Sequence, residues 1–159
     1  MNQKAMFSSQ NPSWSTPQEL FDELDGEFHF TLDPCADDGN HKCDRYYTEE
    51  QDGLAQDWSG ETVFCNPPYG RQIGRWVEKA FREVYAGQCR TAVLLLPART
   101  ETMWFHDYIY HRAEVRFIKG RLRFEGAKDN APFPSMVVIF RGKEKNKCAN
   151  TATSAACPA

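Results

Sequence analysis

The run Ala92-Val93-Leu94-Leu95-Leu96 has no polar position on either side of a pleat. Such a strand is stable only in a sheet covered on both faces, the arrangement of parallel sheets with helices above and below. The preceding segment supplies one cover: Ile73, Trp76, Val77, Ala80, Phe81 and Val84 recur at helical spacing, and Gly87 stops them. Further upstream, Thr16-Pro17-Gln18-Glu19 predicts a helix start with Thr16 as N-cap and Pro17 in the first helical position; Leu20, Phe21 and Leu24 follow, and Gly26 ends it. Strands are predicted at Phe28–Leu32, Thr62–Cys65 and Thr91–Leu96. After a helix capped by Thr100 and carrying Met103, Trp104, Tyr108 and Ile109 come Glu114–Ile118, a Lys119-Gly120 turn, Arg121–Phe124 and a last strand at Met136–Phe140. The pattern predicts an α/β fold, a mostly parallel sheet with an antiparallel terminal strand. Ligands of such sheets bind beyond the carboxyl ends of the strands, where the loops after Leu32 and Cys65 fall.

The 159 residues, 41% hydrophobic and 13% aromatic, suit one domain with a real core. Residues 1–13 read as a flexible arm, 14–141 as the folded domain and 142–159 as a disordered tail. No apolar run approaches the ~20 residues of a membrane helix and the N-terminus lacks a signal-peptide core, so a soluble cytoplasmic protein is expected. Six cysteines without a C-x-x-C pair read as reduced thiols; Cys35, His41 and Cys43 lack a fourth ligand, and no metal site is assigned. Residues 1–69 hold 3 Lys/Arg against 14 Asp/Glu, a balance of −11, and residues 70–159 hold 16 against 8, a balance of +8. That split suits an acidic half facing a cationic small molecule and a basic half facing phosphates.

Asn66-Pro67-Pro68-Tyr69 follows a predicted strand and precedes a helix. A tetrapeptide of this type arises by chance in a chain this long about one time in two hundred. Its chemistry suits a planar aromatic amine, whose lone pair is delocalised into the ring. Two acceptors on its two N–H bonds, the Asn66 side-chain oxygen and the Pro67 carbonyl, draw the nitrogen toward tetrahedral geometry and free the lone pair. Consecutive prolines stiffen the backbone that aims them, and Tyr69 offers a ring for stacking on a base.

This motif resembles the catalytic motif of S-adenosylmethionine-dependent amino-methyltransferases. Trp14-Ser15-Thr16-Pro17, Leu32-Asp33-Pro34-Cys35-Ala36, Asp52-Gly53-Leu54 with Trp58, Leu95-Leu96-Pro97-Ala98-Arg99 and Gly120-Arg121-Leu122 extend the likeness in order. Together they resemble the phage-type Dam family of DNA N6-adenine methyltransferases. The resemblance implies a Rossmann-like methyltransferase fold, S-adenosylmethionine as cofactor and double-stranded DNA as partner. It assigns Asn66, Pro67, Pro68 and Tyr69 to catalysis. It assigns Trp14, Ser15, Thr16 and Pro17 to the methionine end of the cofactor, and Asp33 with Pro34, Cys35 and Ala36 to the first-strand cofactor motif, Asp33 facing the amino group. Asp52 or Asp57 is left for the cofactor adenine, and Asp44 and Glu49 are candidates for its ribose.

Arg71 and Arg75 beside the catalytic loop, and Lys119, Arg121 and Arg123 on the late hairpin, are candidates for phosphate or base contacts. Lys128 joins these candidates, with solubilising charge as its alternative reading; Lys143, Lys145 and Lys147 read as solubilising charge, Arg99 as structural, and His106 and His111 receive no role. Only 33 positions separate Asp33 from Asn66 and fewer than 90 residues follow Tyr69. A separate target recognition domain is therefore not expected, and a short target, or a second subunit of a homodimer, is. The rivals are methylation of another planar nitrogen (cytosine N4, RNA adenine N6 or protein glutamine) and a non-catalytic DNA-binding protein. A nucleotide-binding metabolic enzyme is disfavoured by the lack of G-x-G-x-x-G and of a P-loop.

Overall fold

The computed structural model describes residues 15–143; Trp14, the 1–13 arm, Lys145, Lys147, Cys148 and Cys157 lie outside them. The elements run α1 (Gln18–Phe28), β1 (Leu32–Asp33), β2 (Arg45–Tyr46), β3 (Thr62–Cys65), α2 (Ile73–Tyr85), β4 (Thr91–Pro97), a π-helical turn (Phe105–Ile109), β5 (Glu114–Phe117) and β6 (Ser135–Arg141). They form one six-stranded sheet in the order β2-β1-β3-β4-β6-β5. The β1–β2, β1–β3 and β3–β4 pairs are parallel, while β6 is antiparallel to both β4 and β5.

The mostly parallel sheet is as expected, but the reversed strand is not at its edge. β6 inserts between β4 and β5, and β5 runs in the direction of β4 at the edge. The physical reason lies in burial. Met136 to Phe140 are apolar on both faces and buried throughout, so they belong inside the sheet, whereas β5 mixes Glu114 and Arg116 with Val115 and Phe117 and tolerates the edge.

Side-chain alternation places the two helices on opposite faces. Phe64 pairs with Val93 and meets Phe21 of α1 edge-on at 5.2 Å. Phe140 pairs with the next residue of β4, Ala92, and meets Phe81 of α2 edge-on at 6.0 Å. Between them Leu94, Leu95 and Leu96 are fully buried.

Several boundaries differ from the sequence reading. α1 begins at Gln18 with Pro17 as the residue before it, and no side chain caps it from the Thr16 position. A distant carboxylate does so instead: Glu125 Oε1 accepts from Gln18 N–H at 3.0 Å. The helix passes through Gly26 and ends at His29, in the left-handed region at φ 57°, because Asp25 accepts both His29 N–H through its carbonyl and Phe30 N–H through its carboxylate. Phe28 is therefore helical and stacks on Phe30, and Arg116 and Arg141 lie over its ring. The ladder of β1 is correspondingly short, Leu32–Asp33.

The helix expected after Thr100 is a single π-helical turn whose first N–H groups are met by Thr102: its Oγ1 accepts from Phe105 N–H at 3.3 Å. Arg121–Phe124 forms no strand, so there is no late hairpin. β5 pairs with β6, and residues 118–134 form a long connection across the end of the sheet, touching the chain start through a bridge between Ser15 and Glu125. No helix among the described residues is long and apolar enough to cross a membrane.

Candidate active site

The chain leaves β1 for β2 on one side and then returns to β3 on the other, so strand order reverses at β1. Such a switch point opens a crevice beyond the carboxyl ends of the strands, and here those ends carry Asp33 and Asn66.

Asn66 leaves the buried β3 directly, and its side chain reaches the N-terminal segment: Nδ2 donates to Thr16 Oγ1 at 3.1 Å. Thr16 is 3% exposed, so the hydroxyl expected to cap α1 is instead spent on Asn66. With Nδ2 directed at Thr16, the amide has one defined orientation and its oxygen is its acceptor end. Pro67 is buried and Pro68 half-buried, which makes the turn rigid where the Pro67 carbonyl must point.

Tyr69 is 7% exposed, donates its hydroxyl to the Leu95 carbonyl at 3.3 Å, and receives the rings of Phe133 and Phe124 edge-on at 5.3 and 6.1 Å. Burial pushes its phenol well above the ordinary range, so it stays a neutral donor. The sequence reading identified the ring but not this aromatic cluster, whose other members lie 55 and 64 positions away in the chain.

Asp33 is 4% exposed. Its carboxylate accepts main-chain N–H bonds from Lys42 at 3.0 Å and Cys35 at 3.4 Å, and among the described residues no cationic side chain pairs with it. Burial pushes its pKa up from 3.8 to about 7, against the pull of those two N–H donors and of His41 and Lys42 nearby. The corner after it is held by Tyr47, whose N–H donates to the Asp33 carbonyl and whose carbonyl accepts from Ala36 N–H, both at 3.0 Å. Lys42 as a donor to Asp33 was not legible in the sequence, since a main-chain N–H carries no residue signature.

Asp52 and Asp57 are separated by the fold. Asp52 sits at φ 51° beside Gly53, whose backbone lies so close to the Pro34 carbonyl that a Cβ there would come within 1.9 Å of it. The Asp52 turn thus abuts the Asp33–Pro34 corner, and the buried Trp58 secures it by donating Nε1–H to the Gly53 carbonyl at 2.9 Å. Asp57 lies near the amino end of β3, away from Asn66, and its carboxylate accepts from Ser59 N–H and Oγ, which lowers its pKa. Asp44 and Glu49 are both exposed; Asp44 precedes β2 and Glu49 follows its carboxyl end, on the side of the crevice.

The predicted basic contacts are all exposed. Arg71 and Arg75 flank the start of α2, a helix with no acid in its first turn. Lys119, Arg121 and Arg123 lie on the 118–134 connection, where Arg123 Nε donates to the Ala127 carbonyl at 3.1 Å. Cys35, Cys43, Cys65 and Cys89 are free thiols, and burial raises the pKa of each, to about 12 for Cys43 and Cys89. His41 stacks on Tyr46 at 4.0 Å and bonds the Cys43 carbonyl. Among the described residues no group of three His, Cys, Asp or Glu is arranged to hold a metal.

Residues 3–156 match the family model described as DNA N-6-adenine-methyltransferase (Dam). The chain is 32% identical over 111 residues to the DNA N-6-adenine-methyltransferase of Escherichia phage T1, a match covering 69% of this chain and 45% of that protein. It is 30% identical over 138 residues to the DNA N-6-adenine-methyltransferase of Haemophilus phage HP1, covering 82% of this chain and 79% of that one. The chain thus spans under half the length of the phage T1 relative and about four fifths of the HP1 relative. The family match extends over almost every residue, from 3 to 156: this chain belongs to the DNA N-6-adenine-methyltransferase (Dam) family.

Proposed function

We propose that this chain methylates the N6 amine of adenine in double-stranded DNA, with S-adenosylmethionine as methyl donor, on a Rossmann-like sheet. The observation that carries the reading is the bond between Asn66 Nδ2 and Thr16 Oγ1 at the mouth of the crevice. It aims the amide oxygen as an acceptor and joins the catalytic motif to the segment that the family resemblance assigns to the cofactor. Family membership selects adenine in DNA over cytosine, RNA or protein glutamine.

Asn66 Oδ1 and the Pro67 carbonyl are assigned to the two N6–H bonds. Accepting both localises the lone pair on nitrogen, a polarisation needed most in the transition state. The amine is paired inside a duplex, so the base must leave the stack to reach these acceptors. Tyr69 and its aromatic neighbours supply the flat apolar wall against which it is held.

The cofactor fits the residues present. A buried carboxylate that, among the described residues, bonds main-chain N–H groups and forms no ion pair is suited to an α-ammonium, which assigns Asp33 to the amino-acid end together with Ser15, Thr16 and Pro17. Pro34, Cys35 and Ala36 line that corner. Asp52, packed on the corner, is favoured over Asp57 for the adenine, and Glu49, at the carboxyl end of β2, over Asp44 for the ribose. S-adenosylmethionine, when bound, supplies an electrophilic methyl group on its sulfonium.

Arg71 and Arg75 sit at the positive end of a helix dipole without an acid to offset them, an arrangement that favours an anionic partner. With Lys119, Arg121 and Arg123 they are assigned to the DNA. The test is sequencing of modified bases in DNA from cells expressing this chain. N6-methyladenine within one short recurring sequence, lost with Asn66→Ala, is the expected result. DNA that acquires no N6-methyladenine, while calorimetry shows no S-adenosylmethionine binding, overturns the reading in favour of a non-catalytic DNA-binding protein.

A further inference from the structure

Between positions 115 and 128 the chain carries five cations (Arg116, Lys119, Arg121, Arg123, Lys128) and one acid, Glu125. That acid makes three contacts with the far end of the chain. Its N–H donates to the Ser15 carbonyl at 2.9 Å, its Oε1 accepts from Gln18 N–H at 3.0 Å, and its Oε2 pairs with Lys42 Nζ at 3.3 Å. Lys42 Nζ also donates to Gln18 Oε1 at 2.8 Å.

Lys42 is held at both ends. Its side chain, 8% exposed, is drawn to Glu125, while its main-chain N–H donates to the buried Asp33 carboxylate at 3.0 Å. Ser15, on the other arm of Glu125, adjoins Thr16, which holds Asn66. The residue before Glu125, Phe124, packs on Tyr69. These contacts meet at a polar cleft of about 390 Å³ lined by Ser15, Gln18, Asn40, His41, Lys42 and Glu125. An exposed ion pair ordinarily contributes little. Here one partner is nearly buried and the other also closes the first turn of α1, so removing the carboxylate disturbs more than a pair.

We infer that Glu125 is a positioning residue: from the DNA-side connection it fixes Lys42, and through it the N–H that orients Asp33, together with the Thr16 turn. The inference rests on the proposed cofactor role of Asp33. It makes cofactor affinity depend on a residue outside the cofactor motifs, on the same connection as Arg121 and Arg123.

The experiment is calorimetric binding of S-adenosylhomocysteine to the full chain and to Glu125→Gln, Glu125→Ala and Lys128→Ala, each checked for native circular dichroism. Glu125→Gln keeps an acceptor for Gln18 N–H and turns the charged acceptor facing Lys42 into a neutral N–H donor, so it tests the idea even if Glu125→Ala does not fold. Loosening one hydrogen bond to a charged group weakens binding by about ten-fold or more. That loss is expected for both Glu125 variants, with Lys128→Ala unchanged. For Glu125→Gln, which keeps the Gln18 contact and with it the Thr16 turn, it should appear as a raised cofactor KM with kcat within about two-fold, and Lys42→Met should add little to Glu125→Gln because the two act through one contact. Folded Glu125 variants that bind within two-fold of wild type overturn the inference while leaving the methyltransferase reading intact. A wild-type chain that binds no cofactor at all overturns that reading first, and the inference with it.

Discussion

The pH dependence of cofactor binding reports on Asp33 directly. Burial holds its pKa near 7 in the ligand-free protein, against 3.8 for an ordinary aspartate. An ammonium ligand binds only the ionised form. That form makes up about 3% of the protein at pH 5.5 and about three quarters at pH 7.5, so affinity for S-adenosylhomocysteine should rise about 25-fold across this window. Calorimetry at pH 5.5, 6.5 and 7.5 measures the slope, and Asp33→Asn, which carries no charge to titrate, should bind weakly with a flat profile. The sign for folding is opposite. A carboxyl whose pKa is raised in the folded state contributes stability that is fully present below pH about 3.8 and lost as pH rises through about 7, in all about 4 kcal/mol. The stability of Asp33→Asn relative to wild type should therefore improve toward pH 8 while its binding stays worse. A flat wild-type binding profile, or a slope that survives in Asp33→Asn, refutes the assignment.

Asn66→Ala should leave cofactor affinity within a few-fold and lower turnover by about 10²-fold or more, because one aimed group in the transition state is worth about 2.7–4 kcal/mol; near-normal turnover in a methyl-transfer assay removes the motif from the mechanism. Tyr69→Phe should lose the hydroxyl's bond to Leu95, worth about 0.5–1.5 kcal/mol by chemical denaturation, and retain activity. Tyr69→Ala, by contrast, opens a cavity costing about 3–5 kcal/mol, so a Phe variant as inactive as Ala shows that the hydroxyl matters chemically. Replacing Arg121 and Arg123 by Ala should flatten the log–log salt dependence of DNA binding by up to about two units, at about 0.9 per phosphate, without changing cofactor affinity; an unchanged slope takes both arginines off the DNA.

Much of this protein was legible in its linear order. The apolar run Ala92–Leu96 of β4 dictates a covered sheet, the helical stripe of α2 dictates one cover, and Asn66-Pro67-Pro68-Tyr69 dictates a stiff polar corner after a strand. These are local consequences of pleat, helical pitch and proline geometry, so neighbouring residues suffice to state them. The interior position of β6 and the absence of a late hairpin were not legible, because strand order depends on which apolar surface the whole molecule buries. Nor was the role of Thr16. Its hydroxyl has a local use as a helix cap and a distant one at Asn66, 50 positions on, and only packing decides between them. Glu125 displaced it by reaching Gln18 from 107 positions away. The charge of Asp33 is the clearest case: the same carboxylate titrates near 4 in water and near 7 here, because the folded protein removes its water and returns two N–H groups. Residue types and their spacing name the chemistry available to a chain, while solvent exclusion and long-range partners, which exist only once the chain has folded, decide which of it is used.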